Sequence, residues 1–347
     1  MSTINKPSLL GLREIKRKAV SATPQDLVEQ SFLEGRTLPL VIEPARSGVD
    51  LVSWAEGSRG FLESNLLKWG GILLRNFQVD SVDRFEQFIA TIFGAALEYK
   101  ERSSPRSTVS GNIYTSTDYP ADQHIFLHNE NSYAHTWPAK IFFCCHTAPD
   151  AGGETPIADV RKVHERIPPE IRQRFEEAGV LYVRNFNELL GLPWQTVFQT
   201  GDRQVVEAYC RKAGYEITWG EGNRLQTRRR APAAIRHPRT EEWIWFNHAT
   251  FFHVSTLAPA IRHALLAQFG EAELPNNTYY GDGSPIEPEV LDVLRDAYRQ
   301  ESVAFPWRKG DVLMLDNMLV AHGRSPFKGS RKILVGMAEP VERASGR

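Results

Sequence analysis

A histidine and a glutamate two positions apart, in His128-Asn129-Glu130, are the sharpest chemical feature of the sequence. In an extended strand, residues i and i+2 project from the same face, so the imidazole of His128 and the carboxylate of Glu130 can point into one cavity. They would supply two ligands of the 2-His-1-carboxylate triad, which holds Fe(II) and leaves one face of the metal open. The pair alone is a weak signal, because so short a pattern also arises by chance.

A second element near the end of the chain could complete such a site. In GDVLMLDNMLVAHGR, a turn at Gly310 and Asp311 leads into an apolar strand and then His322, and Arg331 follows in GSRKILVGM. His322 would be the third metal ligand, and the guanidinium of Arg331 could bind a carboxylate in bidentate fashion. The structural alternative makes His322 a strand cap and Arg331 a surface ion-pair partner, and the joint pattern disfavours it.

Three further histidines compete for the role of ligand. His253 follows an aromatic run and His146 ends an apolar strand, and we interpret both as packed side chains. His124 lies four positions before His128, on the same side of the predicted strand. We therefore predict that His124 lines the pocket as a candidate substrate residue and does not bind the metal.

Composition and charge exclude several other classes of function. The 347 residues carry a formal net charge of -1, so no overall field attracts nucleic acid or an anionic membrane. No apolar run approaches the roughly 20 residues that span a bilayer, and the first residues lack the apolar core of a secretory signal. Of three cysteines, Cys144 and Cys145 lie in an apolar run, which indicates buried thiols in a reducing cytoplasm.

The hydrophobic pattern predicts a mainly β protein with flanking helices, of the α+β class. Short strands broken by turns occupy residues 109–160 and the last forty residues, which indicates a β-sandwich or jelly roll. A helical part precedes it, and a long insertion separates the predicted ligands. We assign residues 1–36 to an N-terminal extension and 37–347 to a single domain. Helices are predicted at residues 50–69, 81–93, 161–178, 257–270 and 287–303.

Taken together, the motifs HNE, GGETPIAD, DNMLVAHGR and GSRKILVGM resemble the taurine dioxygenase/TfdA superfamily of Fe(II)- and 2-oxoglutarate-dependent dioxygenases. Within it, the stretches YTSTDYPAD, HNENSY, WQTVFQTGDR, WFNHATFFH and YGDGSPIE are similar to the syringomycin-type aspartyl β-hydroxylase group of nonribosomal-peptide pathways. The resemblance covers about residues 36–340.

The resemblance implies a double-stranded β-helix (jelly roll) with iron at one mouth. It implies that His128, Glu130 and His322 bind Fe(II), and that Thr155 and Arg331 bind the distal carboxylate of 2-oxoglutarate, which is consumed with O₂. The implied reaction is hydroxylation of an unactivated C–H bond in a small amino-acid-type substrate, free or tethered to a carrier protein, in specialised metabolite biosynthesis.

Two positions depart from the usual pattern of the superfamily. The acidic ligand is glutamate rather than aspartate, and Glu130 argues against a halogenase, in which alanine or glycine would open a site for halide. Val335 stands where taurine dioxygenase has a sulfonate-binding arginine, which disfavours a taurine-like substrate.

Candidate substrate residues follow from position alone. Asn131 and Ser132 come directly after Glu130, and Asn247 lies in the WFNHATFFH stretch, where a strand-end hydrogen bond is an equal alternative. Arg324 follows His322 closely and could bind a substrate carboxylate. The basic run 228–230 is interpreted as a solvated face, with docking of an acidic carrier domain as the alternative.

Three functional hypotheses remain open on the sequence. The first is hydroxylation, and the second is the same co-substrate chemistry with desaturation or ring closure as its outcome. The third is a non-enzymatic jelly-roll binding protein, which the complete set of five ligand and anchor residues disfavours. The identity of the substrate, the stereochemistry and the oligomeric state stay open.

Overall fold

The computed structural model describes residues 23–98, 107–116, 119–187 and 190–343. The strands are β1 (Val28–Phe32), β2 (Leu40–Pro44), β3 (Gly71–Leu74), β4 (Thr108–Ser110), β5 (Ile113–Thr115), β6 (Ile125–His128), β7 (Thr136–Thr147), β8 (Ala151–Gly152), β9 (Ile157–Asp159), β10 (Val180–Phe186), β11 (Glu216–Trp219), β12 (Leu225–Ala231), β13 (Ala234–Arg236), β14 (Trp243–Trp245), β15 (Asn276–Tyr280), β16 (Val312–Asp316), β17 (Val320–Arg324), β18 (Phe327–Lys328) and β19 (Lys332–Glu342). The helices are α1 (Leu51–Glu56), α2 (Arg59–Trp69), α3 (Val82–Phe93), α4 (Val160–Arg166), α5 (Pro169–Ala178), α6 (Trp194–Phe198), α7 (Arg203–Ala213), α8 (Ala249–Phe252), α9 (Pro259–Phe269) and α10 (Pro288–Glu301).

A large sheet and a small sheet form the jelly roll. The large sheet has the order β1-β2-β3-β16-β7-β19-β5-β4, and the small sheet consists of β6-β17-β9, with the pair β18-β8 beside it. Among the described strands, only β2 and β3 pair in parallel, and every other pair is antiparallel. The predicted class, mainly β with flanking helices, and the predicted jelly roll are confirmed.

Strand β7 shows why the centre of the large sheet is apolar on both faces. Phe143 and Cys145 belong to the core shared with the small sheet, whereas Phe142 and Cys144 belong to the core shared with helices α1, α2 and α3. A strand covered on both faces has a nearly continuous apolar sequence. Burial raises the pKa of both thiols to about 12, so these free cysteines stay protonated and act as packing groups.

Two predicted helices are each divided in the structure. The helix predicted over residues 50–69 ends at Glu56 and begins again at Arg59. The helix predicted over 161–178 is interrupted at Pro168, whose neighbour Pro169 starts α5. Proline is compatible with the first helical position, and the residue before a proline is disfavoured in the helical region.

The edge strand β1 lies within residues 1–36, which the sequence assigns to an N-terminal extension. Val28–Phe32 pairs with β2 along its full length, and Val28 is buried. These residues fell within the segment 1–36, which the sequence alone assigned to an extension, because only one of the five is buried and the apolar pattern of a strand is missing. Residues 1–22 lie outside the described part of the chain.

The insertion between the predicted ligands forms a second layer of structure. It contains the sheet β11-β12-β10-β15, the hairpin β13-β14 and helices α4 to α10. Along β12 the side chains alternate, so Arg228 and Arg230 face outwards while Arg229 is only 5% exposed and donates to the backbone oxygens of Ala213 and Tyr133. The interpretation of the basic run as a solvated face is therefore wrong at Arg229. No described helix is both long enough and apolar enough to cross a membrane.

Candidate metal centre and adjoining cavity

Three side chains converge at one mouth of the jelly roll. The candidate ligand atoms of His128, Glu130 and His322 all lie within 4.8 Å of one another. His128 ends β6 directly opposite His322 in β17, and the two ring centroids are 4.6 Å apart. Glu130 and His322 are buried. Two imidazoles and one carboxylate at this spacing form the donor set that suits Fe(II) in an open facial site.

The sequence predicted that Glu130 lies in a strand, but Glu130 reaches this position from a turn. Strand β6 ends at His128, and Glu130 begins the turn that follows. Asn317, in the turn between β16 and β17, fixes the backbone there. Its Oδ1 accepts from the Glu130 amide at 2.8 Å, and its Nδ2 donates to the Glu130 carbonyl oxygen at 2.9 Å. The carboxylate is therefore positioned by a residue almost two hundred positions away.

The orientation of the His128 ring is set by two neighbours. Its Nδ1 lies 2.9 Å from the carbonyl oxygen of Phe126. Because a carbonyl oxygen only accepts, Nδ1 carries the proton and Nε2 keeps the lone pair that a metal needs. The ring of Phe251 stacks on His128 with centroids 4.2 Å apart and restricts its rotation.

A small cavity adjoins the two candidate metal-binding histidines. Its walls come from both sheets and carry two guanidinium groups. It also contains Thr155, as the resemblance implied for the co-substrate site. The lining residues are Ser116, Ile125, His128, Phe143, Thr155, His322, Gly323, Arg324, Arg331 and Val335.

The hydrogen-bond partners that hold Arg331 in the cavity are neutral in the described part of the chain. Its Nε donates to the carbonyl oxygen of Gly153 at 2.9 Å, and its Nη1 donates to Ser116 Oγ at 3.1 Å. Burial, followed by repulsion from Arg324, lowers the pKa of Arg331 to about 10, so it remains charged at neutral pH. Within residues 23–98, 107–116, 119–187 and 190–343, neither arginine forms an ion pair. The cavity thus offers uncompensated positive charge to an anion.

Thr155 and Gly153 show why the GGET motif belongs beside Arg331. The hydroxyl of Thr155 accepts a hydrogen bond from Trp307 Nε1 at 3.2 Å. Gly153 has a φ of 70°, and a β-carbon there would lie 3.0 Å from the Cδ atom of Arg331. A side chain at this position would therefore displace the arginine. These groups fit a dicarboxylate such as 2-oxoglutarate, with one end at the metal and the other at Arg331.

Two predicted substrate residues lie on the side of the metal that Phe251 occupies. Ser132 is fully buried, and its Oγ lies 2.6 Å from His248 Nδ1. Asn131 has a φ of 56° and accepts from the Tyr133 hydroxyl at 3.3 Å. Both belong to the polar turn after Glu130.

The other three predicted substrate residues are placed differently. Asn247 bonds the backbone through both ends of its amide, to the Ala233 oxygen and the Ala249 nitrogen, which favours the structural alternative. His124 is exposed, lies just before β6 and is not among the residues that line the cavity. Arg324 lines the cavity, but its terminal nitrogens bind backbone oxygens of residues 119–123.

Sequence reasoning missed His248, which is completely buried beside the metal ligands. Its ring centroid is 5.6 Å from that of His128, and its backbone amide donates to the Tyr182 hydroxyl at 3.0 Å. Burial, with the charges of His128 and Arg184 nearby, holds the pKa of His248 well below its usual range, so the ring is neutral. The aromatic stretch WFNHATFFH was the available signal, but its pattern does not distinguish packing from a place in the site.

Comparisons with known proteins agree with this arrangement. A profile of the family described as "Taurine catabolism dioxygenase TauD, TfdA family" matches residues 34–338. The chain is 39% identical over 280 residues to the dapdiamide synthesis protein DdaC of Enterobacter agglomerans, covering 81% of this chain and 85% of that protein. It is 29% identical over 334 residues to a clavaminate synthase-like protein of Arabidopsis thaliana, covering 90% and 96%. The crystal structure of PvcB from Pseudomonas aeruginosa superposes with a TM-score of 0.55 at 17% identity over 94% of each chain, a likeness of fold.

Proposed function

This chain belongs to the TauD, TfdA family and is an Fe(II)- and 2-oxoglutarate-dependent dioxygenase, and we propose that it hydroxylates an amino-acid-derived substrate in specialised metabolism. The observation that carries the proposal is the meeting of His128, Glu130 and His322 beside a cavity with an uncompensated arginine. A generic metal site would need no guanidinium group in the adjoining cavity. The relative at 39% identity is named as a dapdiamide synthesis protein.

In this proposal the five predicted residues divide into two groups. His128, Glu130 and His322 hold Fe(II), and Thr155 and Arg331 bind the distal carboxylate of 2-oxoglutarate. The bound iron and co-substrate supply the oxidising power, since O₂ and 2-oxoglutarate yield succinate, CO₂ and one oxygen atom for the substrate. The protein contributes the orientation of 2-oxoglutarate in the cavity between the two sheets.

The substrate is proposed to bind on the other side of His128, where Ser132, Phe251 and His248 lie. The position of the substrate relative to the metal decides which C–H bond reacts. A rigid aromatic wall restricts the orientations that a small substrate can adopt. Whether the amino-acid group arrives free or on a carrier protein is an outcome of the experiment below. We place the reaction in the cytoplasm, because all three cysteines are free thiols.

The experiment is a screen of amino acids, free and loaded on a carrier protein, with Fe(II), 2-oxoglutarate and O₂. We expect succinate release that depends on one class of substrate, and a product that is heavier by one oxygen atom. Loss of two hydrogens would show desaturation or ring closure and would overturn hydroxylation. His128→Ala serves as the control, and equal turnover by that variant would contradict the proposed metal site.

A further inference from the structure

Arg324 makes a set of hydrogen bonds to the backbone. Its position in the sequence, close after His322, did not predict them. Its side chain is 5% exposed, and Nη1 donates to the carbonyl oxygen of Tyr119 at 3.0 Å. Nη2 donates to the carbonyl oxygens of Pro120 and Gln123. One guanidinium group thus binds three backbone acceptors in a single short segment of chain. The planar fork of arginine suits such divergent acceptors, and the single ammonium of lysine does not.

In the part of the chain that the structure describes, the Tyr119–Gln123 segment has few other contacts that hold it in place. None of its five side chains is buried, so apolar packing contributes little. Besides Arg324, the described backbone contacts are the Phe327 amide, which donates to the Ala121 oxygen at 2.9 Å, and a turn closed by the Gln123 amide. Since an exposed segment of this kind opens easily, the bonds from Arg324 are a large part of what fixes it.

The location of these bonds connects the segment to the co-substrate cavity. Arg324 lies two positions after His322 in β17 and lines the cavity together with Arg331. Ile125, which lines the same cavity, follows the segment after one intervening residue and is paired with Arg324 in the strand register. Movement of the segment would therefore shift one wall of the cavity and the start of the strand that carries His128.

The remaining nitrogen of the Arg324 guanidinium, Nε, also gives information on the role of this residue. Nε of Arg324 is buried without a hydrogen-bond partner in the described chain, and the side chain forms no ion pair there. A buried charge of this kind favours an anion in the neighbouring space. With both terminal nitrogens committed to backbone oxygens, the group is poorly arranged to grip a substrate carboxylate in bidentate fashion, the role that its position in the sequence suggested.

We propose that Arg324 is a positioning residue that fastens the Tyr119–Gln123 segment at the wall of the cavity and thereby retains 2-oxoglutarate. The inference rests on the proposed function, since it assigns the cavity to that co-substrate. It predicts that loss of the guanidinium loosens the segment and weakens binding of 2-oxoglutarate, while affinity for the amino-acid substrate changes less.

The test compares Arg324→Met, Arg324→Lys and wild type in two measurements. The first is the dissociation constant of 2-oxoglutarate, titrated anaerobically against the Fe(II)-loaded protein or, with Mn(II), by calorimetry. We expect it to rise about ten-fold or more for Arg324→Met, as loss of several charged hydrogen bonds implies, and less for Arg324→Lys. The second is hydrogen exchange in a peptide covering residues 119–127, which we expect to accelerate in the same order.

Arg299→Met is the matched control, because Arg299 is an exposed arginine on α10 that pairs with Asp296 and influences the nearby His124. It removes a positive charge from the same region without touching the segment, and should leave both measurements within about two-fold. If Arg324→Met does not fold, the comparison of Arg324→Lys with wild type in the same two measurements tests the inference.

Three results would overturn the inference. Unchanged affinity for 2-oxoglutarate would do so, as would unchanged exchange at residues 119–127. A variant that loses affinity only for the amino-acid substrate would assign Arg324 to substrate binding instead. Failure of the wild-type protein to bind 2-oxoglutarate would refute the proposed function itself, which distinguishes the two failures.

Discussion

The two sides of the metal centre are built in different ways. On the cavity side, Thr155 lies in the loop between β8 and β9, Arg331 directly precedes β19, and the wall carries two guanidinium groups and two hydroxyl groups. On the opposite side, Phe251 and His248 come from the long insertion, and their aromatic rings pack on His128 and on one another.

This difference in construction matches two tasks. One is to anchor the carboxylate of 2-oxoglutarate, and the other is to bind the substrate. An anion anchor requires a few groups with fixed chemistry, so it can be held by strands whose register is set by hydrogen bonds. An aromatic wall can change by substitution in helices and turns without disturbing those strands. Changes on the cavity side should therefore affect 2-oxoglutarate binding, and changes on the aromatic side should affect the substrate.

The largest effect is expected where the two sides meet, at the metal ligands. His322→Ala removes one of three donors and should reduce both Fe(II) affinity and turnover by more than about 100-fold, since even partners that only orient a ligand contribute 10–100-fold. Metal content of the purified protein and succinate formation are the measurements. His263→Ala, an exposed histidine on α9, is the control. Normal iron content in His322→Ala would contradict the assignment.

A change confined to the cavity side comes next in size. Arg331→Leu removes a half-buried guanidinium and should weaken 2-oxoglutarate binding by about 1.5–3 kcal/mol, roughly 10- to 150-fold in dissociation constant. Fe(II) affinity should remain near that of wild type. If iron and 2-oxoglutarate affinities fell together, the two tasks would not be separable in the way the comparison requires.

Asn317 tests whether the geometry of Glu130 depends on the distant turn. Asn317→Ala removes two buried hydrogen bonds to the backbone of Glu130, at a cost of about 1–3 kcal/mol. We expect a lower melting temperature and about ten-fold weaker Fe(II) binding. Asn65→Ala, which breaks one bond to the backbone within α2, is the control for stability alone. Weaker iron binding in both variants to the same degree would mean that Asn317 acts only on stability.

The smallest effect is expected on the aromatic side. Phe251→Ala removes the ring stacked on His128, a contact worth about 0.5–1.5 kcal/mol. KM for the amino-acid substrate should rise several-fold, while the dissociation constant of 2-oxoglutarate stays within about two-fold. Leu266→Ala, on the exposed helix α9, serves as the control. A larger change in 2-oxoglutarate affinity than in KM would reverse the assignment of the two sides.

Features with local causes were predictable from the sequence, and features with distant causes were not. The jelly roll and the grouping of His128, Glu130 and His322 followed from strand patterns and the resemblance. The turn at Glu130 did not, because its geometry depends on Asn317, far along the chain. His248 was missed for a related reason, since an apolar aromatic stretch predicts burial without showing what it packs against.

The predicted substrate residues show the same limit of prediction from sequence alone. Asn247 and Arg324 both lie near the site, yet each directs its polar atoms to backbone groups that only the folded chain brings close. Proximity in sequence to a metal ligand is therefore a poor guide to substrate contact when turns and segments nearby also need hydrogen-bond partners.

The most direct test of the central claim is an anaerobic titration of the protein with Fe(II) and then 2-oxoglutarate, followed by visible absorption. Chelation of iron by the keto acid in a site with two histidines and one carboxylate gives a weak charge-transfer band. We expect the band in wild type, its loss in His128→Ala, and its appearance only at higher 2-oxoglutarate concentration in Arg331→Leu. No band in the wild-type protein, or an equal band in His128→Ala, would contradict the account.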